Sequence, residues 1–131
     1  MTQTGIHMSS NGLLGCSPDG LINDASGIIE VKCPYSCKES AINASIGKKG
    51  FCLKKSGTDE TILDPEHDYY HQVQGGMYIT GAQFCDFIVW SPQEMIVVRV
   101  PWDKTWEVCG DILQQFVREV FLPRVIEHSA K

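Results

Sequence analysis

A mixed β-sheet flanked by helices, α/β with α+β as the alternative, is the fold class predicted by this 131-residue sequence. Three observations predict it. Short β-branched runs bounded by Gly, Pro, Asn and Asp recur, as at Ile28-Ile29-Glu30-Val31. Two stretches carry helical periodicity. The types alternate along the chain as β-β-β-α-β-α-β-β-α, an order that by itself does not choose between the two classes.

Each element has a local reason. Residues 13–16 are a short apolar run ended by the turn signal Ser17-Pro18-Asp19-Gly20. Leu21-Ile22 meets a second turn at 23–27, and residues 28–32 form a strand stopped by Pro34. These pieces are expected to be adjacent antiparallel strands. Ser36 can cap a short helix over residues 37–46 that Gly47 would end. Residues 51–54 and 61–63 read as a strand pair. Residues 69–80 look helical, with Val73, Met77 and Tyr78 on one side and Gly81 closing the helix. Two β-rich runs, 84–90 and 95–100, flank Ser91-Pro92-Gln93-Glu94 and read as a hairpin. Asp103 can cap a last helix whose core stripe would be Trp106, Cys109, Ile112, Leu113, Phe116, Val117 and Val120, with Pro123 kinking or ending it near Leu122.

Composition narrows the function classes. The length suits one domain over residues 1–131. With 43% apolar and 21% charged residues, wholesale disorder is excluded. No apolar run approaches the ~20 residues of a membrane span, and no signal peptide is visible. An intracellular protein of the nucleus or cytoplasm is expected, with reduced thiols. Only Cys33 and Cys37 of the six cysteines lie close together, so neither a zinc-finger spacing nor a disulfide framework is apparent. The net charge of −5 argues against a uniformly basic nucleic-acid surface. The charge is uneven, however: residues 32–55 carry six lysines against Glu39 alone, and residues 59–68 carry five carboxylates and no Lys or Arg.

The chemistry-bearing stretch is Ser17-Pro18-Asp19-Gly20 followed by Gly27-Ile28-Ile29-Glu30-Val31-Lys32. Glu30 and Lys32 are two apart on a strand, so they share a face, with Val31 expected to point into the core. Glu-x-Lys alone is common on exposed strands. Flanked by Ile28, Ile29 and Val31 it lies in a strand read as mostly buried, where two charges need partners or a ligand. Two carboxylates can hold divalent metal, and a lysine beside them can orient or deprotonate water and offset developing charge, which is what phosphodiester hydrolysis requires.

Several linked motifs over residues 14–100 carry a resemblance: Gly15-Cys16-Ser17-Pro18-Asp19-Gly20-Leu21, Glu30-Val31-Lys32-Cys33-Pro34, Tyr70-His71-Gln72-Val73-Gln74 and Trp90-Ser91-Pro92. Together they resemble the YqaJ-type viral recombinase nucleases, which include phage lambda exonuclease, within the PD-(D/E)XK superfamily. The resemblance implies a restriction-endonuclease-like core and a Mg²⁺-dependent deoxyribonuclease, with Mn²⁺ able to substitute. It further implies a 5′-to-3′ exonuclease on linear duplex DNA in recombination or repair. Asp19, Glu30 and the Val31 carbonyl would hold the metal. Lys32 would be the catalytic lysine and Gln74 a further catalytic residue. Ser17, Gln72 and Tyr78 would contact substrate, Ser17 at a 5′-phosphorylated end. The implied partners are DNA and either further copies of the chain, by the family's trimer precedent, or a single-strand annealing protein.

The resemblance also implies an N-terminal helical part with a further acidic ligand and a phosphate-clamping arginine. Eighteen residues precede Asp19, and residues 1–16 hold no Glu, Asp, Arg or Lys, so that part is expected to be missing by truncation, loss or supply from another chain. A catalytically impaired module that binds DNA or a protein is therefore the alternative. His67 and His71 have zincin spacing, but Asp68 stands where the zincin glutamate belongs, so His67 is expected at the helix entrance and His71 at the surface. The Gly75-Gly76 pair costs about 1 kcal/mol per residue within a helix, which points to close approach of another element or of DNA.

Overall fold

The computed structural model describes residues 5–130. Along the chain, β1 (His7–Met8) and β2 (Gly15–Cys16) are followed by β3 (Gly20–Ile22), β4 (Gly27–Lys32), β5 (Leu53–Lys55) and β6 (Thr61–Leu63). Then come α1 (Asp68–Thr80), β7 (Phe84–Trp90), β8 (Met95–Pro101), α2 (Glu107–Phe116) and α3 (Leu122–Ser129). The main sheet has four strands in the order β3-β4-β7-β8, with β4 and β7 parallel and both outer pairs antiparallel. A parallel pair needs a crossover, and α1 lies within it. The mixed sheet with flanking helices is as expected.

Helix α1 begins at His67, whose ring Nδ1 accepts the Tyr69 N–H at 3.1 Å, and ends at Gly81, whose φ of 77° is left-handed. It buries Val73, Gln74 and Met77. The Gly75-Gly76 approach is to protein: a Cβ on Gly76 would stand 3.0 Å from Ile28 Cδ1, and one on Gly75 3.4 Å from the Trp106 ring. The core forms on this one face of the sheet, where Ile28, Cys85, Phe87, Val89, Val98 and Val100 meet the helix and the β5–β6 pair. The opposite face is largely open, with Val97 51%, Met95 59% and Trp90 45% exposed.

Several expectations need correction. β2 pairs with β1, not with β3, so residues 13–16 do not join the main sheet. No α-helix forms over residues 37–46; two single 3₁₀ turns, Tyr35–Cys37 and Ile42–Ala44, stand there instead. This stretch carries Ser36, Ser40 and Ser45, a residue type whose side chain competes for backbone groups; Ser40 Oγ donates to the Ser36 carbonyl, and the Asn43 N–H donates to the Glu94 carboxylate. Of the two outcomes expected at Pro123, the last helical stretch does not end there but becomes irregular just ahead of it. It runs as α2, a π turn at Val117–Phe121 and α3, and the wide turn immediately ahead of the proline accommodates a residue with no N–H to donate. Its apolar stripe is not core either: Trp106 is buried and Cys109 and Val117 are half-buried, but Ile112, Leu113, Phe116 and Val120 are exposed.

Val31 also departs from expectation. It is 39% exposed, whereas Glu30 is 7% exposed. The covered face is the one shared by Ile28 and Glu30, in register with Cys85 and Phe87, so the carboxylate points inward under α1 and the valine outward. β3 pairs with β4 only as far as Ile29, which leaves no strand beside Val31 on that flank.

On the open face Phe84 lies across its parallel partner Gly27 and carries the Arg99 guanidinium 4.0 Å above its ring. A Cβ at Gly27 would overlap the Phe84 ring. Gly27→Ala is therefore expected to lower stability by about 1–3 kcal/mol. Gly57→Ala, with no atom within 4 Å of the added carbon, should change it by less than about 0.5 kcal/mol. Urea unfolding of both variants checks this.

Candidate active site

Asp19 sits in the turn entering β3, where its N–H donates to the Ile29 carbonyl at 2.9 Å. Its Oδ2 accepts the Val31 N–H at 2.7 Å, the position a backbone carbonyl would hold if β3 began earlier. That contact draws the Asp19 carboxyl over the end of β4, close enough to the Glu30 carboxyl for its charge to act on it. In a strand the N–H and C=O of one residue point to the same side, so the Val31 carbonyl faces the same flank as Asp19.

Burial, then the adjacent Asp19 charge, push the Glu30 carboxyl up to about 7 against an opposing pull from Lys32. Lys32 is held on the far side. Its Nζ donates to Gln72 Oε1 at 2.9 Å and lies 4.5 Å from the centre of the Tyr69 ring. Tyr69 and Gln72 are three apart on α1 and so share a face, which makes one pocket for the ammonium. Tyr69 escaped the sequence reading, although its spacing from Gln72 was a usable signal.

The two glutamines separate. Gln74 is fully buried; its Nε2 donates to the Pro101 carbonyl and its Oε1 accepts the Asp103 N–H, both at 3.0 Å. Two positions on a helix turn by about 200°, so Gln72 faces Lys32 while Gln74 binds α1 to the end of β8. The place of a glutamine beside the lysine thus falls to Gln72. Tyr78 is likewise engaged: its hydroxyl donates to Asp111 at 2.9 Å and accepts from Gln114 at 2.7 Å, and its ring packs near Trp102 and Trp106.

A cleft of about 400 Å³ opens over this cluster between the β1–β2 pair, α1 and α2. Glu30, Ser17, Gln72 and Tyr78 line it, with Cys16 and Leu113 among its apolar walls. Ser17 is exposed at the turn, two residues before Asp19. His71 also lines the cleft, and its Nδ1 accepts the buried Trp106 indole N–H at 3.1 Å. His67 is occupied as the α1 cap, so the two histidines do not converge. Among the described residues no group of three His, Cys, Asp or Glu side chains is placed to hold a metal. The donor set on hand is two carboxylates and a carbonyl, hard oxygen ligands that fit Mg²⁺ or Mn²⁺ and not a thiolate- or imidazole-seeking ion.

A four-stranded mixed sheet with a Ser-Pro-Asp turn, Glu-Val-Lys on the adjoining strand and a helix roofing them has the restriction-endonuclease-like fold. The crystal structure of an alkaline exonuclease (LHK-Exo) from Laribacter hongkongensis superposes with a TM-score of 0.67 at 23% identity, over 98% of this chain and 62% of that one. Its complex with dAMP gives 0.68 at 24% identity, over 98% of this chain and 61% of that one. The chain belongs to the YqaJ-like viral recombinase domain family, which matches residues 1–83. It is 28% identical over 117 residues to the alkaline nuclease of Autographa californica nuclear polyhedrosis virus, covering 78% of this chain and 28% of that protein. Against the alkaline nuclease of Orgyia pseudotsugata multicapsid polyhedrosis virus it is 26% identical over 115 residues, covering 76% and 27%. The chain thus spans little more than a quarter of these relatives. Among the described residues no helix is long and apolar enough to cross a membrane.

The electrostatics of Glu30 predict a stability difference in metal-free protein. Its folded pKa is raised from 4.5 to about 7, so its neutral form's contribution is fully present below 4.5 and is lost as pH rises through about 7. Glu30→Gln removes that loss. In chelator at pH 8 the variant should be more stable than the parent by up to about 3 kcal/mol, and near pH 4.5 the two should agree. Denaturant titrations at both pH values test this.

Proposed function

We propose that this chain is the core of a divalent-metal-dependent deoxyribonuclease, a 5′-to-3′ exonuclease acting on linear duplex DNA in recombination or repair. The observation that carries the reading is the neighbouring Asp19 and Glu30 carboxyls, with Asp19 bonded to the Val31 N–H and Lys32 two residues along the strand and held by Gln72. Family membership and relatives named as alkaline nucleases support it. Association with further copies or with a single-strand annealing protein, in nucleus or cytoplasm, belongs to the same proposal.

Asp19, Glu30 and the Val31 carbonyl would hold Mg²⁺, with Mn²⁺ able to replace it. When bound, the ion supplies Lewis acidity, lowering the pKa of water and offsetting charge on phosphoryl oxygens. Glu30 must lose its proton to serve as a ligand, which favours neutral to alkaline pH. Lys32 orients or deprotonates the attacking water. As oxygen bonds to phosphorus and the phosphodiester P–O bond breaks, its ammonium offsets the growing negative charge, the attacking water's proton passes to solvent by way of the lysine or directly, and the leaving alkoxide takes a proton from solvent. Gln72 and Tyr69 keep the lysine in place. Ser17, on the cleft wall, can donate to a terminal phosphate.

The alternative, a module that binds DNA without cutting it, is favoured by one observation, the want of a third side-chain ligand among the described residues. Metal-dependent digestion of linear duplex DNA separates the two readings, and no cleavage even with an N-terminally extended chain selects the second.

If the reading holds, Lys32→Ala should cut turnover by about two orders of magnitude or more and leave Mg²⁺ affinity by calorimetry nearly unchanged. Glu30→Gln should abolish that affinity; a loss within a few-fold for the lysine variant would demote Lys32 to a surface residue. Linear duplexes with 5′-phosphates should be consumed faster than 5′-hydroxyl duplexes, Ser17→Ala should shrink the difference, and closed circles should survive. Rapid cutting of circles would replace the exonuclease with an endonuclease.

A further inference from the structure

Tyr35 is 85% exposed, against 52% for Phe121 and 45% for Trp90. A lone exposed aromatic is ordinary, but this one is built in. It opens the 3₁₀ turn Tyr35–Cys37, fixed by the Cys37 N–H to the Pro34 carbonyl at 3.0 Å and the Lys38 N–H to the Tyr35 carbonyl at 3.1 Å. Fully buried Cys37 and Ile42 anchor the segment beneath it. The Lys38 ammonium lies 5.7 Å from the ring centre, which engages one face of the ring and leaves the residue open to solvent. Ser36 and Ser40 line two adjoining hollows, one reaching Tyr35 and Lys38, the other Lys48 and Lys49. Glu39 is the one carboxylate lining either hollow.

We propose that this corner is a second nucleic-acid subsite, in which an unpaired base stacks on the Tyr35 ring while Lys38, Lys48 and Lys49 hold the flanking phosphates. The inference rests on the deoxyribonuclease reading and deepens it. Tyr35 is three residue steps along the chain from Lys32, at most about 11 Å, which is the length of about three nucleotides of a stacked strand. An aromatic platform among cations takes any base, because every base has a π-face, and the cations take the backbone without reading sequence. Such a subsite would grip a strand separated from its complement near the scissile bond.

The test is equilibrium binding of a fluorescent single-stranded oligonucleotide and of a 5′-phosphorylated duplex in chelator, with digestion of linear duplex in Mg²⁺ measured alongside. Tyr35→Ala should weaken single-strand binding about tenfold, leave the salt dependence unchanged and leave the melting temperature unmoved, since the side chain is exposed. Tyr35→Phe should bind like the parent. Lys48→Ala should weaken binding to any sequence and flatten the salt dependence. Unaltered single-strand binding by Tyr35→Ala in a protein that still digests DNA overturns the subsite and spares the nuclease reading. Equal losses in the Ala and Phe variants overturn stacking. A parent protein that neither binds nor cuts DNA overturns both, and leaves Tyr35 as a contact for a protein partner.

Discussion

The site depends on where β3 begins. Because the backbone pairing of β3 with β4 runs no further than Gly20 and Ile29, the next donor along β4, the Val31 N–H, is satisfied by the Asp19 side chain. That substitution of a carboxylate for a backbone carbonyl brings Asp19 against Glu30. Glu30 cannot turn away, since strand alternation aims it at the covered face with Ile28. Two like-charged groups are thereby held together in a partly desolvated place, an arrangement that opposes folding and that a cation would relieve. The core around Phe87, Val73 and Met77 supplies the stability that tolerates it.

The rest of the site is arranged around that pair by one helix. α1 presents Tyr69 and Gln72 to Lys32 on one side and sends Gln74 to the Pro101–Asp103 backbone on the other. Its glycines let it lie close on Ile28 and beneath Trp106. The same helix therefore fixes the lysine and locks itself to the sheet with residues two positions apart. Tyr78 then ties it to α2 through Asp111 and Gln114.

Local chemistry in the sequence was enough for some of this and not for the rest. The β7–β8 hairpin was legible because Ser91 punctuates it: the hydroxyl accepts the Gln93 and Glu94 N–H groups. The ends of α1 were legible from His67 and Gly81. The Asp19, Glu30 and Lys32 cluster was legible from spacing and from the family pattern. The facing of β4 was not, because Ile28, Ile29 and Val31 are all apolar and only the sheet's neighbours decide which side is covered. Periodicity showed an apolar stripe from Trp106 to Val120 but not that Ile112, Leu113, Phe116 and Val120 would be left exposed. Nor could it phase α1 finely enough to choose between Gln72 and Gln74.

The parallel pairing of β4 with β7 has a consequence for when the site comes into being. Gly27 is in register with Phe84 and Lys32 with Val89, so this pair forms only after the whole intervening chain is drawn into a closed loop. The entropy of that closure precedes any return from the contacts, which makes such pairings late and slow events in folding. Residues 1–83 are synthesised before β7, which begins at Phe84. A ribosome that has released only that stretch has delivered Asp19, Glu30, Lys32 and Gln72 but not the strand against which β4 must lie. The carboxylates and the lysine are thus synthesised before the strand that fixes β4, and they are set in place only when that strand arrives.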